Sequence, residues 1–180
     1  MREGPYRVLL ADDHPLVRKA IRRLIETDPA LLVTGETSSL KQAMRALRRK
    51  PVDLLIMDLV FPREDGLAFI AEVRRAFPRL GILVASLHRE SLFAEPVLRA
   101  GANGFIMKSN APAELAAAAR AVLERRFYVS PMMRALLRER KGTAGGTQLS
   151  PALTGVPICG PPLRQVRRRS KPRRTHNSAR

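Results

Sequence analysis

Two adjacent carboxylates, Asp12 and Asp13, end the apolar run in "VLLADD", and a third, Asp58, stands inside "VDLLIMDLV" among residues suited to a core. Burying an unpaired carboxylate costs on the order of several kcal/mol or forces it to take up a proton, so Asp58 needs a chemical reason to be kept. Two further polar groups sit at comparable places, Ser86 closing "GILVAS" and Lys108 closing "GFIMK". Three carboxylates at one point repel one another unless a cation sits among them. An all-oxygen set suits a hard ion, and Mg²⁺ takes one or two carboxylates while keeping its waters. Beside Mg²⁺, Asp58 stays ionised and nucleophilic towards phosphorus. Mg²⁺, Lys108 and the Ser86 hydroxyl then face the charge on the equatorial oxygens of a transferring phosphoryl group. The product is an aspartyl phosphate.

That chemistry requires five residues far apart in sequence to meet, and the patterning of residues 1–126 provides the means. Apolar runs at 7–11, 31–36, 52–58, 81–86 and 104–108 read as strands. Between them lie helical patterns. The first opens at Pro15 and places Leu16, Ala20, Ile21, Leu24 and Ile25 on one face. The second carries Leu40, Ala43, Met44 and Leu47, and the third Leu67, Ile70, Val73 and Phe77. A weaker fourth spans 90–101 with Pro96 awkwardly inside it, and an Ala-rich fifth spans 112–126. Continuous apolar strands alternating with amphipathic helices imply an α/β fold, a five-stranded parallel sheet covered on both faces. Right-handed crossovers make the doubly wound order 2-1-3-4-5 the leading topology. The carboxyl ends of its strands share one edge, where ligands bind, and Asp12, Asp13, Asp58, Ser86 and Lys108 all fall there.

Charge divides the 180 residues unevenly. Residues 1–140 hold 24 Lys and Arg against all 16 acids, a surplus of eight. Residues 141–180 hold the other nine bases and no acid, with five Pro, five Gly and no aromatic residue. Such a segment is expected to be disordered. No run approaches the roughly 20 apolar residues of a membrane span, and the N-terminus lacks a signal-peptide core. The lone Cys159 forms no internal disulfide. A cytoplasmic location is expected, with no membrane partner.

The stretches "VLLADDHPLVRKAI", "DLLIMDLVFPREDGL", "ILVAS" and "AGANGFIMKS" resemble a CheY-like receiver domain, the phosphoacceptor half of a two-component response regulator, with a flavodoxin-like fold. The resemblance spans about residues 6–126. It implies that Asp58 is the phosphoacceptor and that Asp12 and Asp13 are the acidic pair around Mg²⁺. It further implies that Val60 lends the metal a backbone carbonyl, that Ser86 and Phe105 are the switch pair, and that Lys108 binds phosphate. The donor is then a sensor histidine kinase, and the protein is no separate enzyme but assists its own Mg²⁺-dependent phosphorylation and dephosphorylation. "RRFYVSPMMRALL" is similar to the connector of the NarL/LuxR-type subfamily, which places a linker helix at 127–140. The subfamily implies transcription control and a possible homodimer. Its helix-turn-helix should begin near "QLSP" at 148–151, but the following text contains no amphipathic helix pair. The expectation is therefore a missing or garbled DNA-binding domain, from a frameshift, truncation or degenerate gene, so DNA is a partner only if the intact product has that domain.

The alternative function is a stand-alone receiver acting through protein contacts or as a phosphate sink, and a weaker one has the basic tail binding nucleic acid non-specifically. No phosphate-loop, dinucleotide-binding or nucleophile-elbow motif is present. His14 and His88 have no partner at metal-ligand spacing, so surface histidines are expected. Val60 and Phe61 replace a polar residue and a Met often found in the family. An apolar Val60 cannot orient a hydrolytic water, which predicts a long-lived phosphoryl group, with His88 the one nearby group able to substitute.

Overall fold

The computed structural model describes residues 4–131 and 133–135, together with the two-residue strand Ile158–Cys159. Its centre is the parallel array β1 (Tyr6–Ala11), β2 (Leu31–Thr37), β3 (Leu54–Met57), β4 (Gly81–Ser86) and β5 (Gly104–Met107), in the order β2-β1-β3-β4-β5. The expected topology is therefore present. Two short strands, β6 (Phe127–Tyr128) and β7 (Ile158–Cys159), extend the β5 edge in parallel. The stretch expected as a linker helix at 127–140 thus begins as a strand, because Phe127, Tyr128 and Val129 are buried rather than exposed on a helix. Residues 131 and 133–135 are helical. The remainder of the expected linker helix and of the tail, including the "QLSP" position, lies outside the described residues.

Alternation along each strand assigns every second residue to one of two cores. Val8, Leu10, Leu54, Ile56, Leu83 and Ala85 pack under α1 (Pro15–Ile25) and α5 (Ala111–Leu123). Leu9, Ala11, Leu55, Met57, Ile82 and Val84 pack under α2 (Leu40–Arg49), α3 (Gly66–Ala76) and α4 (Glu90–Ala100). Burial on both faces explains why these strands are apolar throughout.

The α2 face is as expected, with Leu40, Ala43, Met44 and Leu47 all buried. The α1 face differs: Leu16 is 83% exposed and Ala20 is exposed, while Val17, Ile21, Leu24 and Ile25 form the inward stripe. On α3, Phe69 joins Ile70 and Val73 inside, and Leu67 is only partly buried. Pro96 sits within α4 without ending it. The carbonyl it leaves unpaired belongs to Leu92, a residue 66% exposed, where water can serve it. Gly101 closes α4 in the left-handed conformation at φ 113°. Among the described residues no helix is long and apolar enough to cross a membrane.

Candidate functional site

Strand ends place the carboxylates. Asp12 follows β1 and Asp58 follows β3, each one residue past its strand, and the two neighbours are tied by the Asp58 amide donating to the Ala11 carbonyl at 2.8 Å. The run 52–58 therefore ends as a strand at Met57, and Lys108 likewise lies just beyond β5, opening a single 3-10 turn over Lys108–Asn110. Its ammonium reaches between the two acids, 2.6 Å from Asp12 Oδ2 and 2.5 Å from Asp58 Oδ2. All three side chains are at most 7% exposed, so solvent screens this triad little.

The remaining carboxylate oxygens also have partners. Asp58 Oδ1 accepts from the Leu59 amide at 2.6 Å. Asp12 Oδ1 accepts from the His14 amide at 2.9 Å, which turns the chain into α1. Asp13 is partly exposed, and its Oδ1 lies 2.7 Å from His14 Nδ1. His14 is a surface histidine, as expected, its side chain 62% exposed, and it also borders the site. Its adjacency in "DDHP" was the available signal. Single ligand atoms of Asp12, Asp13, His14 and Asp58 all lie within 4.8 Å of one another. Three carboxylates against one ammonium leave two negative charges uncompensated. Oxygen donors with that surplus fit a divalent hard cation.

Ser86 ends β4 fully buried, opposite Met107 in the β4–β5 register, and so neighbours Lys108. Its Oγ accepts from the His88 amide at 3.3 Å, and among the described residues no hydrogen bond joins it to Asp58. Phe105 pairs with Val84 and is fully buried, so in this conformation its ring is already inside. The His88 ring packs on Phe93, with centroids 5.0 Å apart, rather than on the acids. Val60, two residues after Asp58, is 49% exposed, and its amide is 3.5 Å from Asp58 Oδ1.

The loop after Asp58 is held by features not anticipated from sequence. Val60–Phe61 pairs antiparallel with Glu64–Asp65, and Arg63 at the tip takes φ 63° after Pro62, as a type II turn requires. Glu64 accepts from the Leu40 and Lys41 amides at 2.9 and 3.0 Å, capping α2 from this loop. Asp65 caps α3 through the Leu67 and Ala68 amides. Gly66 permits the fold-back, because a Cβ there would lie 2.1 Å from the Leu59 carbonyl oxygen.

A second polar group joins the site's neighbourhood to the chain beyond α5. Glu90, 8% exposed at the start of α4 and four residues past Ser86, accepts from the Ser130 amide at 2.7 Å. Val129 and Met133 of the same segment are buried in the α4-side core. Glu114, on α5, is held above the usual carboxyl range, chiefly by burial and then by the nearby Glu90 charge.

Comparison with known proteins agrees with this geometry. Residues 8–120 match the family described as the response regulator receiver domain. The chain belongs to that family. It is 35% identical over 123 residues to the response regulator UvrY of Escherichia coli K12, covering 68% of this chain and 56% of that protein. It is 37% identical over 157 residues to the methanol utilization control regulatory protein MoxX of Paracoccus denitrificans, covering 84% of this chain and 68% of that one. A LuxR-family two-component response regulator from Aurantimonas superposes with TM-score 0.71 at 35% identity, over 77% of this chain and 99% of that chain. RcsB of Salmonella typhimurium gives 0.70 at 28% identity, over 82% and 72%. The chain spans little more than half the length of the UvrY relative. This is a two-component receiver with LuxR-family homologues, its fold is the one the sequence led one to expect, and Asp12, Asp13 and Asp58 cluster at the sheet edge.

Proposed function

We propose that the chain is the receiver of a transcriptional response regulator, with the receiver in residues 1–126 and Asp58 as the phosphoacceptor. The observation that carries this is the buried Lys108 ammonium bridging Asp12 and Asp58, with Asp13 alongside. An Asp58 carboxylate oxygen attacks the phosphorus of a phosphohistidine on a sensor kinase. The P–N bond breaks, and the imidazole leaves with the electron pair and takes up a proton. Asp12, Asp13, Asp58 and the Val60 carbonyl would hold Mg²⁺, which supplies charge neutralisation for the phosphoryl oxygens. Lys108 stays beside the new dianion, and the Ser86 hydroxyl turns from accepting the His88 amide to donating to phosphate. Exposed Leu16 and Leu87, at 83% and 69%, give the site an apolar rim suited to a protein partner.

The signal leaves through α4. Movement of the Ser86 loop draws on Glu90, whose bond to Ser130 anchors the segment leading away from the receiver. Because Phe105 is already inside, the switch is read as a change in the α4 start and this anchor, with Phe105 holding the active-like position. The output is transcription control, in keeping with the LuxR-family relatives, and RcsB has been seen in a complex with DNA. A cytoplasmic location follows from that role.

The phosphoryl group is long-lived. Val60 has no polar atom to hold an attacking water, and the His88 ring is engaged with Phe93. Val60→Asn should speed phosphate loss while Val60→Ala leaves it nearly unchanged; a wild-type half-life of seconds would contradict this. The function itself is tested with beryllofluoride and Mg²⁺. Amide resonances of Ser86, Phe105 and Ser130 should shift in the wild type and stay fixed in Asp58→Asn. Equal shifts in both proteins, or none in either, would sink the proposal.

A further inference from the structure

At the amino-terminal pole of the sheet, opposite Asp58, the surface opens into a cavity of about 710 Å³. That is the size of a small-molecule site. Its walls are the half-buried Val52, Phe77 and Leu123. Around them stand Arg49 and Lys50 from the end of α2 and Arg79 from the turn before β4. The side chains of these three have no ion-pair or hydrogen-bonding partner among the described residues. The carboxylate in the lining, Asp53, is already engaged, accepting from the Arg7 amide at 2.8 Å and its Nε at 3.3 Å. Arg125 donates to the Arg79 carbonyl at 2.6 Å and so fixes the rim.

Arg49, Lys50 and Arg79, together with Arg125, whose hydrogen bond goes to a neutral carbonyl, put uncompensated positive charge around an apolar hollow; the cations repel one another and leave both wet apolar surface and unused donors. A ligand with several negative charges and an apolar ring relieves all three at once. The chain's own residues 141–180 carry nine bases and no acid, so they cannot supply that charge. The concavity also favours a small molecule over a broad polyanionic surface. We propose that this cavity is a binding site for an organic phosphate of nucleotide type, its phosphates on Arg49, Lys50 and Arg79 and its ring against Phe77 and Val52. The site is independent of Asp58 phosphorylation and stands or falls separately from it.

The test is ¹⁵N NMR on the full chain without Mg²⁺, titrated with ATP, pyrophosphate and adenosine. ATP should shift the Lys50, Val52, Asp53, Arg79 and Leu80 amides saturably, with a dissociation constant on the order of 0.1 mM. Pyrophosphate should bind there at least several-fold more weakly, and adenosine hardly at all. In the double variant Arg49→Gln with Lys50→Gln, affinity read at Arg79 and Leu80 should fall roughly tenfold, while any shifts in the basic tail persist as an internal control. Both residues are exposed, and unchanged resonances elsewhere report an intact fold. The proposal is overturned if ATP shifts only residues 141–180, if pyrophosphate matches ATP at the pocket, or if the double variant binds as the wild type does.

Discussion

Replacing Lys108 by Met keeps a similar side-chain length and removes the one ammonium between Asp12 and Asp58. Their oxygens lie 2.6 and 2.5 Å from the nitrogen, and ligand atoms of the two acids come within 4.8 Å of each other. Two unit charges 4.8 Å apart repel by about 3.5 kcal/mol at an effective dielectric constant near 20. Removing one partner of a buried pair typically destabilises by about 3–5 kcal/mol, and the two figures agree. For a folded region of this size the melting temperature should fall by roughly 10–20 °C at pH 7 in EDTA. Millimolar Mg²⁺ restores the missing positive charge, so it should raise the melting temperature of Lys108→Met more than that of the wild type. Calorimetry with and without Mg²⁺ reads both effects. A melting temperature within about 3 °C of wild type in EDTA, or a deficit that Mg²⁺ does not reduce, would refute the electrostatic reasoning.

Gly66→Ala forces the Leu59 carbonyl to move, which should lower stability by about 1–3 kcal/mol in denaturant titrations and slow phosphorylation by disturbing the Asp58–Leu59 contact. Glu90→Ala leaves the Ser130 amide without its acceptor, at about 1–2 kcal/mol; hydrogen exchange at Val129 and Met133 should quicken roughly tenfold while β1 and β3 keep their protection. Two acids give opposite pH signatures. Arg120 beside Asp28 holds that carboxyl below its ordinary range, so its contribution is present at neutral pH and fades as pH falls through the lowered value. Asp28→Asn should therefore cost stability at pH 7 and progressively less in acid. Glu114 is shifted upward, so its stabilising effect is present in acid and lost as pH rises through the raised value. Glu114→Gln should melt higher than wild type at pH 7 and no higher near pH 4, as thermal melts across the pH range would show.

Much of this was legible because the fold enforces a period. Strands buried on both faces must be apolar, so the polar residue at which each run stops marks the sheet edge, and Asp12, Asp58, Ser86 and Lys108 were found that way. Faces of helices were less secure where two registers share apolar residues. Leu16 and Val17 both fit a stripe on α1, and only packing against β1 selects Val17. Contacts made by tertiary geometry left no local mark. Glu64 caps a helix 24 residues upstream, and Glu90 holds an amide 40 residues downstream. The strand at Phe127–Tyr128 falls where the sequence suggests a helix, because two residues carry no period and only the open β5 edge makes them pair.

The central claim is that Asp58 takes a phosphoryl group in the pocket formed with Asp12, Asp13 and Lys108. Intact-protein mass spectrometry after incubation with acetyl phosphate and Mg²⁺ tests it most directly. The wild type should gain the mass of one phosphoryl group, with EDTA suppressing the gain and Asp58→Asn abolishing it. No added mass on the wild type, or the same addition on Asp58→Asn, would contradict the account.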